Sequence, residues 1–103
     1  MSVLLNFAMF PTDKGAGVSP YVSKVLRFVR DSGVAYRLNP MGTTIETNSM
    51  EEALDIVNQA YKILEPDAER IYTTINIDAR KGPSDRIQGK IDSVERKIGE
   101  VNT

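Results

Sequence analysis

The sequence predicts an α+β fold built on a four-stranded antiparallel sheet. Three observations predict it. Apolar residues alternate with period two in three stretches, 3–10, 34–39 and 70–80, and a fourth, 43–47, is rich in β-branched residues. Apolar residues recur at helical spacing in three others, within 20–32, between Ser49 and Pro66, and over about 84–101. Read in order, these give strand, helix, strand, strand, helix, strand, helix. The first six form a split βαβ pair, the ferredoxin-like βαββαβ arrangement, with an extra C-terminal helix. Both crossovers are then right-handed, which puts the first two helices on one face of the sheet. The first and third strands become central neighbours, flanked by the fourth and the second respectively.

Each element carries its own signals. In the first strand Val3, Leu5, Phe7 and Met9 share a face, and Leu4, Asn6, Ala8 and Phe10 the other. The following loop, 11–18, has Gly15 and Gly17 but lacks the Gly-Lys-Ser/Thr ending of a phosphate loop. Ser19 reads as a helix N-cap, with Pro20 at the first helical position. Val22, Val25, Leu26 and Val29 supply the apolar stripe, and Gly33 sits where a C′ glycine is expected. Val34, Tyr36 and Leu38 then alternate with Ala35, Arg37 and Asn39. Asn39-Pro40-Met41-Gly42 turns the chain, Pro fixing φ and Gly permitting φ > 0. The strand after the turn is rich in β-branched residues, yet it carries Glu46 in its middle. That carboxylate faces either water or a partner that wants negative charge.

Ser49-x-x-Glu52 is a capping box. Ala53, Leu54, Val57, Ala60, Tyr61 and Leu64 form the stripe of the second helix, Tyr61 reading as core, and Pro66 ends it. In the fourth strand Ile71, Thr73, Ile75 and Ile77 face inward, and Tyr72, Thr74, Asn76 and Asp78 outward. After Lys81-Gly82-Pro83, Ser84 reads as the cap of the last helix. Its apolar residues, Ile87, Ile91, Val94, Ile98 and Val101, follow a 4-3-4-3 seam. A seam this short requires a surface, either its own domain or the same helix of a second chain.

Composition narrows the function. The 103 residues suffice for one small domain, 1–103. A net charge of −1, with cations interleaved among carboxylates, argues against nucleic acid as a partner. There is no Cys and no His, which removes thiolate chemistry, the usual general base and the commonest metal ligands. No apolar run approaches the ~20 residues of a membrane span, and no signal peptide is visible. The expectation is a cytoplasmic protein, without membrane or nucleic-acid partner, that is not an enzyme and needs no cofactor or metal. The second sheet face mixes apolar, amide and hydroxyl groups with single charges. That mixture suggests a cover: another chain, a ligand or the last helix.

Three segments resemble a known family. Pro-Met-Gly-Thr followed by Ile-Glu (40–46), Ser-Pro-Tyr-Val (19–22) and Ile-Asp-Ala-Arg (77–80) are similar to those of small thiamine-binding proteins. The resemblance covers nearly the whole chain. It implies a ferredoxin-like domain that forms homodimers or homotetramers and binds thiamine or its hydroxymethylpyrimidine moiety. Pro20 and Tyr21 stand where members often have an acidic residue.

The side chains can serve such a ligand. A thiazolium cation calls for a carboxylate or an aromatic face, and an aminopyrimidine for carboxylate, amide or backbone partners. Glu46, Asn39, Asn6, Asn76 and Asp78 offer the former groups, and Tyr21, Tyr36 and Tyr72 the platforms. Met41, Gly42 and Thr43 at the hairpin and Ser19 at a helix N-terminus complete the candidate site. The contrasting readings are an oligomerisation module without a small ligand and a regulatory domain acting on a partner enzyme.

Overall fold

The computed structural model describes residues 1–103. The chain runs β1 (Ser2–Pro11), α1 (Ser19–Asp31), β2 (Ala35–Asn39), β3 (Gly42–Thr47), α2 (Met50–Leu64), a 3-10 turn (Glu65–Asp67), β4 (Ile71–Arg80) and α3 (Arg86–Ile98). The strands lie in the order β2-β3-β1-β4, and each neighbouring pair is antiparallel. This is the expected ferredoxin-like sheet with an added C-terminal helix. No helix is long and apolar enough to cross a membrane.

One face of the sheet meets α1 and α2. Val3, Leu5, Phe7 and Met9 of β1 and Ile45 of β3 are buried against Val25 and Val29 of α1 and Ala53, Val57, Ala60 and Leu64 of α2. The helices cover the two central strands and leave the outer two overhanging. Tyr36 and Leu38 on β2, and Ile75 and Ile77 on β4, share the inner face by register but stay 37–57% exposed. The inner apolar set expected from the sequence is therefore only partly under the helices. On α2 the buried positions follow the i, i+4, i+7, i+11 line that faces β1. Leu54 and Tyr61 lie seven residues apart on the flank of that line and are exposed, so Tyr61 is not core.

Two of the four expected helix caps are found. Ser49 accepts from the Glu52 amide at 3.1 Å, and Gly33 takes the left-handed conformation after α1. Ser19 is not a cap. The Val18 carbonyl accepts the first helical bonds, from Tyr21 and Val22, so Ser19 and Pro20 are already in the first turn. Ser84 is not a cap either. Asp85 occupies that position in the left-handed region, with no bond from its own side chain.

The last helix spans Arg86–Ile98 rather than 84–101. Gly99, at φ 86°, breaks it, and the Val101 amide turns back to the Glu95 carboxylate. The seam is divided between two surroundings. Ile87 and Ile91 are half-buried on the second sheet face, beside Leu4, whereas Val94 is exposed and Ile98 is 73% exposed. The chain's own sheet thus supplies the surface for the first half of the seam.

Candidate functional site

The hairpin turn and the start of α1 enclose a cavity of about 480 Å³. Its walls are largely apolar: Phe7 and Met9 from β1, Val22 and Leu26 from α1, and Leu38 and Met41 from the hairpin. Asn39, Gly42 and Thr43 contribute the polar groups, and no charged side chain lines it. The turn is built by Asn39, whose Oδ1 accepts the Met41 amide at 2.8 Å. This Asx turn leaves the Asn39 NH2 without a protein partner. Met41, 84% exposed, forms the rim.

Gly42 is needed for space and not for a positive φ. A Cβ there would lie 2.9 Å from the Phe7 carbonyl oxygen and 3.3 Å from Asn6 Nδ2. Gly42→Ala should therefore lower stability by about 1–3 kcal/mol through overpacking against backbone that has little room to yield. A urea denaturation midpoint equal to that of the parent protein would remove this reading.

Four of the residues singled out from the sequence, Asn39, Met41, Gly42 and Thr43, thus come together. Tyr21 packs against the core beside the α1 part of the cavity wall, with the Lys24 ammonium 5.8 Å from its ring centroid. Ser19 is exposed in the same first turn of α1.

Glu46, Asn76 and Asp78 are elsewhere. On the second face β-pairing sets Glu46, Leu4 and Asp78 in one row across three strands. The two carboxylates are therefore about 10 Å apart, at ~4.8 Å per strand. Arg86, only 5% exposed, spans this row from above. Its Nη1 donates to Asp78 Oδ2 at 2.9 Å, its Nη2 to the Ser2 and Asp78 carbonyls at 2.8 and 2.6 Å, and its Nε to Ser2 Oγ at 2.9 Å. The Ser2 hydroxyl in turn donates to Glu46 Oε2.

Glu46 Oε1 accepts the backbone amides of Arg86 at 2.9 Å and Ile87 at 3.4 Å. Glu46, 8% exposed, is thus the N-terminal cap of α3, supplied from another strand and favoured by the helix dipole. It does not line the hairpin cavity. Asp78 is held below the usual carboxylate range, first by a hydrogen bond from Lys90 and then by Arg86. Its linked contribution is present above the ordinary carboxylate pKa and is lost as pH falls through the lowered one. Asn76 is exposed in the next row, opposite Asn6.

From the sequence Arg86 is one of the charged residues around the seam of the last helix, with no role of its own. The signal was there: two carboxylates in one row, flanking an apolar Leu4, need a long cation. Seeing it requires the strand register.

The thiamine-binding protein family matches residues 5–95. The chain belongs to the thiamine-binding protein family. A relative in Mycobacterium bovis, UPF0045 protein Mb1933, is 35% identical over 98 residues, covering 95% of this chain and 96% of its own. The crystal structure of hypothetical protein MJ1052 from Methanocaldococcus jannaschii superimposes with a TM-score of 0.80 at 28% identity, covering 90% of this chain and 95% of that one. A Thermotoga maritima protein, provisionally assigned to thiamine biosynthesis or salvage, superimposes with a TM-score of 0.78. At 22% identity, over 91% of this chain and 99% of that one, it supports the fold. Within this thiamine-binding family member, the hairpin cavity is the largely apolar space that Asn39, Met41, Gly42 and Thr43 share. A wider depression of about 590 Å³ at the other end of the sheet is lined by Glu46, Glu52, Asp55 and Asp85, with few apolar groups.

Proposed function

We propose that the chain is a non-enzymatic, cytoplasmic binding protein for thiamine or its hydroxymethylpyrimidine moiety, and that the pyrimidine occupies the hairpin cavity. The observation that carries this is the lining: apolar walls with a few neutral polar groups at one end. A planar, uncharged heteroaromatic ring suits such a space. The Asn39 amide, the Thr43 hydroxyl and main-chain groups match its donors and acceptors. The cavity offers no carboxylate to a thiazolium, so the charged ring points outward past Met41. The pyrimidine then supplies most of the affinity.

Exposed apolar residues on β4 and along the second half of α3 support assembly into a homodimer or homotetramer. The absence of His and Cys supports a binding role over catalysis.

Titration calorimetry on ligand-free protein tests this, with sedimentation of the same sample reporting its oligomeric state. Thiamine should bind saturably, and hydroxymethylpyrimidine should retain its affinity to within about tenfold. Val22→Phe, which fills the cavity, should weaken both by about tenfold or more. At ~100 times Kd, ligand should stabilise the fold by ~2.7 kcal/mol. Binding of thiamine but not of the pyrimidine would reject the placement. No binding of either would leave assembly as the function.

A further inference from the structure

A second pocket, on the opposite face of the sheet, has the reverse chemistry. It measures about 300 Å³ and lies between the second sheet face and α3. Three cations line it, Arg37, Arg86 and Lys90; Thr103 lies at its edge, and no Asp or Glu lines it. Leu4, Ile87 and Ile91 form its apolar walls.

The three cations are not equivalent. Arg86 is saturated by Ser2 and Asp78, as described, and is structural. Lys90 donates to Asp78 Oδ2 at 3.1 Å through an otherwise exposed ammonium. Arg37 has no carboxylate partner. Its one protein hydrogen bond is from Nη2 to the neutral Gln88 Oε1 at 3.0 Å. A guanidinium has five N–H donors, so four remain available. Asp78 is the one carboxylate bonded to any of the three, and Glu46 reaches Arg86 through the shared Ser2 hydroxyl. Arg37 is thus the one cation of this pocket with no carboxylate bonded to it.

We propose that this pocket is an oxyanion site for a phosphate group, held by the Arg37 fork with Lys90 as the second cation. A guanidinium fork matches two phosphate oxygens, and a flexible ammonium can leave Asp78 for a doubly charged anion. Thr44, opposite Arg37 on β3, lines the floor of the pocket, its hydroxyl donating to Asn6 Oδ1 at 3.0 Å, so the cations alone would hold the anion. Leu38 and Asn39 line both this pocket and the hairpin cavity. The phosphate is therefore either free or the ester of a small molecule held near the β2 edge. The site stands without the thiamine assignment, because its probe is inorganic phosphate.

The test is a titration of isotope-labelled protein with inorganic phosphate, followed by amide and Arg Nε resonances, against chloride at matched ionic strength. Saturable shifts are expected at the Arg37 side chain and at Gln88 to Ile91, with phosphate and not with chloride. Arg37→Gln should weaken the apparent affinity about tenfold. Lys90→Gln, at an exposed side chain that leaves the core intact, should weaken it several-fold, and serves alone if Arg37→Gln fails to fold. Shifts that do not saturate, that chloride reproduces, or that survive both substitutions would overturn the proposal. A further arm adds thiamine monophosphate. Displacement of phosphate names the ester as the source, and no displacement names the free ion; the site stands in both cases.

Discussion

Replacing Arg86 by alanine is expected to destabilise the fold by about 2–4 kcal/mol, the cost of removing a buried guanidinium's hydrogen bonds to two carbonyls and a hydroxyl, with little added by its ion pair to the half-exposed Asp78. Its side chain is nearly inaccessible and donates to two backbone carbonyls, a hydroxyl and a carboxylate. Removal leaves Glu46 buried without the neighbouring cation, and leaves the Ser2 and Asp78 carbonyls unpaired. On a domain of this size the loss is comparable to much of the total stability. Urea denaturation followed by far-UV circular dichroism measures it, and amide exchange should show α3 opening before the sheet. Arg86→Met, of similar length, should recover part of the packing and none of the hydrogen bonds. A loss below about 1 kcal/mol would show that α3 docks through Ile87 and Ile91 alone.

Glu46→Ala should cost about 2–4 kcal/mol, because two amides of α3 and the Ser2 hydroxyl lose their acceptor in a buried site. Glu46→Gln keeps an acceptor and should cost roughly half as much. Neither change touches the hairpin cavity. Thiamine or hydroxymethylpyrimidine affinity, measured by calorimetry on Glu46→Gln, should therefore equal that of the parent. Lost affinity with unchanged stability would make Glu46 a ligand group after all. Since Glu46 and Arg86 share Ser2, the double variant should lose less than the sum of the two single changes.

Much of the fold was legible because it rests on local periodicity. The four strands, the three helices, their order and the sheet topology follow from alternation, helical spacing and connection rules. The Asn39–Gly42 turn and the Ser49 cap follow from turn and cap chemistry acting within a few residues. Four of the residues singled out, Asn39, Met41, Gly42 and Thr43, line one cavity because they are neighbours in the chain. Ser19 and Ser84 misled because a hydroxyl beside a helix is only a candidate acceptor. The chain path placed Ser19 inside the first turn, and it gave the α3 amides to a carboxylate from another strand.

The sequence alone determined which residues alternate, where the chain turns, and that Cys and His chemistry is absent. Those properties are written in nearest-neighbour spacing and in composition. Tertiary structure decided what the charged residues do. Residues 2, 46, 78 and 86 are dispersed along the chain, yet antiparallel register and the docking of α3 bring them within hydrogen-bond distance. Hence Glu46, which its strand left facing either water or a partner, accepts the first amides of α3, while Arg37 enters the second-face pocket with no carboxylate bonded to it. Register sums contributions from distant segments, and a hydrogen bond of a few ångströms depends on that sum.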